Sequence, residues 1–176
     1  MIIFMGVAGV GKSVQGHMLA EERGYQWVSS GELFRKYITG KRREEMLAGK
    51  LMTDDELMSL VDKVFNTMDL RKEFVLDGTP RTIGQADWLI DQAKQGRFSI
   101  TAVINLKASE QVVVQRMLQR GRQDDTEDAI RTRFEEYERQ TKPIIEHLKK
   151  AGIRVDEING EQTPEAVHKA IVERLG

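Results

Sequence analysis

The chain has 176 residues, 40% of them hydrophobic and 31% charged, which describes an ordinary soluble globular protein of one domain with a full buried core. A formal net charge of −1 argues against nucleic acid as the main partner, and the absence of cysteine excludes a disulfide framework and a thiolate metal site. The first strand starts at residue 2, leaving no room for a signal peptide, and no apolar run approaches membrane-spanning length, so a cytoplasmic protein without a membrane partner is expected.

Residues 2–5, Ile-Ile-Phe-Met, are continuously apolar, as in a central parallel strand covered on both faces. Gly6-Val7-Ala8-Gly9-Val10-Gly11-Lys12-Ser13 follows at once and fits the phosphate-loop pattern of Gly, four residues, Gly-Lys-Ser/Thr. Its glycines let successive N–H groups turn inward, and the helix over 12–23 adds its positive N-terminal end to the same concavity. Lys12 is expected to reach the β- and γ-phosphates of a nucleotide, and the Ser13 hydroxyl sits where such loops ligate Mg²⁺. The loop alone leaves kinase, switch and motor open.

Gly24 ends the first helix, and a short strand at 26–28 leads to Ser29-Ser30, a hydroxyl cap for a helix with Glu32 in its first turn and Arg35 near a strand tip. Lys41 to Glu45 reads as an exposed helical face and 49–53 as a loop. Leu57, Leu60, Val61, Val64, Phe65 and Met68 recur at helical spacing and are expected in the core. The apolar strand 74–77 ends in Asp77, the form in which phosphate-loop proteins present a carboxylate to the Mg²⁺ shell. Gly78-Thr79-Pro80-Arg81-Thr82 follows, and Arg81 and Gln85, four apart, share a helical face near that strand tip.

A strand over 100–106 precedes a helix from Ser109 that carries Val112, Val113, Met117 and Leu118 inward and Arg116 and Arg120 on another face. A long helix then carries Ile130, Phe134, Tyr137, Ile144 or Ile145 and Leu148, with Pro143 expected to kink or split it. Gly152 ends it, 153–158 alternates as an edge strand, and Thr163-Pro164 opens the last helix. This order implies a three-layer α/β/α fold around a five-stranded parallel sheet with right-handed crossovers. Six arginines lie between residues 116 and 139. Arg131 and Arg139 read as solvated, whereas Arg116, Arg120, Arg122 and Arg133 suit phosphate and base clamps, because guanidinium forks match phosphate oxygens and stack on flat rings.

Over nearly its whole length the chain resembles the short-lid adenylate kinases, within the nucleoside monophosphate kinases. The residues that carry the resemblance are the loop 6–15, Ser30-Gly31-Glu32-Leu33-Phe34-Arg35, 77–82 with Gln85, Arg116 with 120–126, and Arg133 with Tyr137, Thr141 and Pro143. It implies a single P-loop kinase domain, 1–176, with an acceptor-binding segment at 30–58 and a very short lid at 120–126. It further implies reversible transfer from MgATP to AMP, giving two ADP, by a cytoplasmic monomer.

By this resemblance Gly9, Val10, Gly11, Lys12, Ser13, Val14, Arg116 and Arg120 bind ATP, with Arg116 stacking on the donor base. Ser30, Arg35, Met52, Gly78, Arg81, Gln85, Arg122 and Arg133 bind AMP, with Gln85 reading its base. Lys12, Arg81, Arg120, Arg122 and Arg133 are the catalytic set, and Asp77 holds Mg²⁺ through water, beside Ser13. The chain departs from the family pattern at Ala8, Ser13 and Val14, where Pro, Gly and Thr are usual, and at Ser30, Thr79 and Met52-Thr53, where Thr, an aromatic residue and Val-Pro are usual. The last three line the acceptor side. A kinase for CMP or UMP is therefore the second reading, and a non-catalytic nucleotide switch the third. Arg35, Arg81 and Arg122 speak against the switch, which needs no second phosphate site.

Overall fold

A computed structural model describes residues 1–40, 53–121 and 127–176, with the backbone alone at Phe34, Arg35, Glu127 and Ala129. The first half of the chain gives β1 (Ile2–Met5), α1 (Lys12–Arg23), β2 (Gln26–Ser29), α2 (Ser30–Tyr37), α3 (Asp54–Phe65), β3 (Phe74–Asp77) and α4 (Ile83–Lys94). The second half gives β4 (Ala102–Lys107), α5 (Glu110–Arg120), α6 (Glu127–Glu136), a π-helical turn (Tyr137–Thr141), α7 (Lys142–Lys150), β5 (Val155–Asn159) and α8 (Pro164–Leu175).

The five strands are all parallel, in the order β2-β3-β1-β4-β5. In register, Asp77 stands opposite both Phe4 and Ser29, so the tips of β1, β2 and β3 end level with one another. The chain leaves β1 for β2 toward one edge and leaves β3 for β4 toward the other, which opens a crevice at the carboxyl ends of these neighbouring strands.

Period-two alternation along buried strands decides the layers. Ile3, Met5, Leu76 and Val103 face α3, α4 and α7 through Val61, Phe65, Leu89, Ile144 and Leu148. Ile2, Phe4, Val75 and Ile104 face α1, α5, α6 and α8 through Leu19, Val113, Met117, Ile130 and Ile171. Phe65, Phe74 and Phe98 meet edge to face in the first layer, with ring centroids 5.3 to 6.2 Å apart.

The packing refines three expectations. Leu118 is 46% exposed, and its place against the core goes to Val114, one turn from Met117 on the buried side. Met68 packs against this core from past the end of α3, and Met58 joins the buried stripe beside it. The long helix is divided just before Pro143, by a π-helical turn and not by a break at the proline itself. Its hydrogen-bond ladder shifts register just before, where the Lys142 N–H bonds the Tyr137 carbonyl five residues back, and Pro143 then occupies the first turn of α7, where its missing N–H costs nothing.

Candidate active site

Gly9, Val10 and Gly11 form the turn between β1 and α1, and the N-terminus of α1 opens into the crevice. Lys12, half-buried, curls back so that Nζ donates to the carbonyls of Gly6 at 2.8 Å and Val7 at 2.9 Å. Burial lowers its pKa from 10.5 to about 8; the Asp77 carboxylate opposes the shift, and Arg81 and Arg120 add to it. A cation in this position gains from an incoming polyphosphate, which replaces two neutral carbonyls with formal negative charge.

Ser13 Oγ donates to Asp77 Oδ2 at 2.6 Å across the gap between the first turn of α1 and the tip of β3. Asp77 is 2% exposed, so the pair presents hard oxygen donors at the floor of the crevice. Val14 is 49% exposed on the next position of α1.

The β3–α4 connection carries the acceptor side. Arg81 Nε donates to the Gly78 carbonyl at 2.8 Å. Arg81 keeps exposed surface, yet desolvation of its guanidinium lowers its pKa; Asp77 opposes the shift, Arg133 adds to it, and Glu136 opposes it. It remains a cation. Gly78 has φ +85°, and a β-carbon there would lie 2.6 Å from Ser30 Oγ, so only glycine fits between β3 and the start of α2. Ser30 is fully buried, and its hydroxyl, like that of Thr79, has no hydrogen-bond partner among the described residues.

Gln85 is 4% exposed and its amide is engaged on both sides: Arg81 N donates to Oε1 at 2.7 Å, and Nε2 donates to Asp54 Oδ1 at 2.7 Å. Arg116 reaches the phosphate loop from α5, its guanidinium donating to the carbonyls of Val10 at 3.2 Å, Gly160 at 2.6 Å, Glu161 at 3.2 Å and Gln162 at 3.4 Å.

The structure therefore brings Lys12, Ser13, Asp77, Gly78, Arg81, Arg120 and Arg133 to one crevice, with Gln85 below Arg81 and Arg116 at the loop's flank. Arg35 lies on α2, its backbone alone described, and Met52 and Arg122 lie outside the described residues, as do most of the 120–126 lid and residues 41–52 of the acceptor segment. Sequence reasoning missed Asp54, whose signal was the capping box of Thr53 and Glu56 that fixes it in the first turn of α3. It also missed Gly160 to Gln162, the carbonyl shelf that Arg116 grips, for which Asn159-Gly160 at a strand end was the turn signal. Glu136, three residues after Arg133 on the same helix face, could have been read from spacing alone.

The adenylate kinase family model matches residues 4–153. The adenylate kinase of Corynebacterium aurimucosum is 37% identical over 180 residues, covering 99% of this chain and 98% of that protein. That of Corynebacterium glutamicum is 35% identical over 181 residues, and the adenylate kinase 1 of a Nostoc species 33% over 181, each covering 99% of this chain and 98% of the relative. Matches of this extent take in the phosphate loop, the Asp77 strand tip and the arginine-bearing helices together, and the chain belongs to the adenylate kinase family.

Proposed function

We propose that this member of the adenylate kinase family transfers the terminal phosphoryl group of MgATP to AMP, giving two ADP, and that it does so with the residues gathered at the β1–β3 crevice. The observation that carries the reading is that Lys12, Asp77, Arg81, Arg120 and Arg133 share one electrostatic neighbourhood, with more fixed positive charge than a single nucleotide-binding loop needs. Two phosphate chains facing each other account for it, and a switch with one nucleotide does not.

On the donor side Gly9 to Val14 cradle the ATP phosphates, and Arg116, held flat by four carbonyl oxygens, offers its guanidinium plane to the donor base. On the acceptor side Arg35 and Arg81 hold the monophosphate, and Ser30, Met52, Gly78 and Gln85 surround the nucleoside. Lys12, Arg120, Arg122 and Arg133 neutralise charge on the moving group. The acceptor phosphate is already an anion and needs no general base, so the protein's work is alignment and charge stabilisation in a site closed to water. Segments 30–58 and 120–126 are the acceptor-binding and lid portions of a single kinase domain, working as a cytoplasmic monomer.

The oxygen donors fit Mg²⁺. Among the described residues no group of three or more His, Cys, Asp or Glu could hold a metal, so a cation here depends on Ser13, on Asp77 through water, and on phosphate oxygens, the sparse protein coordination that Mg²⁺ accepts. When bound, Mg²⁺ supplies charge to the donor phosphates.

Incubation of the protein with MgATP and AMP, GMP, CMP or UMP in turn, with diphosphate formation measured, tests this reading. AMP is expected to give the highest kcat/KM. A higher value for CMP or UMP replaces it with the pyrimidine kinase, and no transfer to any acceptor leaves the switch.

A further inference from the structure

An amide at the base site can read two opposite patterns, depending on which way round it stands. Its oxygen and one N–H together match an edge with a donor beside an acceptor, and a half-turn of the amide inverts the order. Adenine shows a 6-amino donor and an N1 acceptor, whereas a 6-oxo purine shows an O6 acceptor and an N1–H donor in the same two places. Free to turn, Gln85 serves both.

It is not free to turn. Arg81 N is a donor with no acceptor capacity and holds Oε1 at 2.7 Å, while the Asp54 carboxylate takes Nε2 at 2.7 Å. A reversed amide would set its NH₂ against the Arg81 N–H and its oxygen against a carboxylate, two repulsive contacts in a side chain that is 4% exposed. Asp54 is fixed in turn. Its other oxygen accepts from Thr82 Oγ1 at 2.5 Å, the same hydroxyl that caps α4 by accepting from Gln85 N at 3.2 Å. The Thr53–Glu56 capping box anchors the first turn of α3 around it. Residue 84 is glycine where a β-carbon would come within 3.1 Å of Asp54 Oδ2, so the helix surface leaves the carboxylate its seat. The lock uses one N–H and one lone pair of the amide and leaves one of each for a base.

We propose that Asp54 is a positioning residue for acceptor choice: with the Arg81 backbone N–H it holds the Gln85 amide in the single sense that accepts a 6-amino purine monophosphate and rejects a 6-oxo one. The inference rests on the reading that Gln85 faces the acceptor base.

AMP and IMP, which differ only at position 6 and N1, form the test pair. Their kcat/KM ratio is measured for the wild type and for Asp54→Ala, Asp54→Ser and Gln85→Ala, with KM for MgATP as a second readout. In both Asp54 variants the AMP-to-IMP ratio should fall about tenfold or more, the scale of losing a hydrogen bond to a charged group, while KM for MgATP moves little. A carboxylate that merely caps or staples α3 would lower both acceptors by one factor, and an unchanged ratio overturns the proposal. If instead Gln85→Ala keeps the wild-type ratio, Gln85 does not read the base, and it is the underlying reading that fails. Proton NMR of the ¹⁵N-labelled wild-type protein gives a check independent of any variant's folding. The Gln85 side-chain N–H pair should show one proton shifted downfield and protected from exchange, and averaged, unprotected amide protons overturn the lock.

Discussion

Lys12 illustrates how far one side chain's chemistry depends on what is bound beside it. Without a polyphosphate it is held by two carbonyls in a crevice that also contains Arg81 and Arg120, and burial keeps its pKa near 8 despite Asp77. Phosphate oxygens favour the charged form, so the pKa rises on binding and, above pH 8, binding takes up a proton. Affinity for MgATP should therefore be flat below that point and fall as pH rises through about 8. Calorimetric titration in buffers of different ionisation enthalpy measures the proton uptake directly, and none at pH 8.5 would contradict the assignment. If the same charge follows the transferred group, Lys12→Met should lower kcat by at least about 10²-fold, the scale for losing one preorganised donor, with the circular dichroism spectrum unchanged.

The β3–α4 connection is the element in which backbone and site are hardest to separate. Gly78 sits at φ +85° with Ser30 Oγ 2.6 Å from where a β-carbon would be, and its carbonyl accepts from Arg81 Nε. Gly78→Ala should cost at least about 1 kcal/mol of stability from the left-handed backbone alone. It should also weaken acceptor binding, because relief of the clash moves the carbonyl that aims Arg81. Thermal denaturation and KM for AMP report the two effects separately, and a fall in stability without any change in KM would detach the loop from the site. This connection was legible as a motif, since Asp77 to Thr82 follows an apolar strand, but its hydrogen bonds were not. Gln85 and Arg81 are four apart and were placed on one face, yet the bond between them runs from the Arg81 backbone rather than its side chain. Asp54 joins them from a residue 31 positions away, a distance no periodicity reports. Local signals served where local physics decides: the apolar strands, the helix start at Thr163, and the solvent exposure of Arg131 and Arg139. Leu118 shows the converse, since a helix from 110 to 120 has more apolar residues than the sheet face can cover, and only packing selects among them.

At the scale of the whole molecule the net charge of −1 hides a segregation of sign. Among the described residues, many surface lysines and arginines stand beside carboxylates, as in Lys142 with Glu138 at 2.6 Å, Lys107 with Glu157 at 2.5 Å and Arg131 with Asp128 at 3.2 Å. Exposed pairs of this kind contribute about 0–1 kcal/mol each and serve mainly to keep the surface neutral. The crevice is different, because there Lys12, Arg81, Arg120 and Arg133 converge on the tip of β3 with Asp77 as the buried carboxylate among them. Phosphate oxygens entering among these like charges offset their mutual repulsion, so the arrangement favours binding more than folding. Arg131 and Arg133 lie two residues apart on α6 and therefore on different faces, one exposed beside Asp128 and the other turned toward Arg81. Replacing each with lysine keeps the charge and removes the planar fork. If the crevice uses the fork to grip phosphate oxygens, Arg133→Lys should lower kcat by about tenfold or more, whereas Arg131→Lys should leave kcat within about twofold of the wild type. Steady-state kinetics of the two variants side by side decides between a directed clamp and a general positive field, because equal effects at the two positions would mean that only total charge matters.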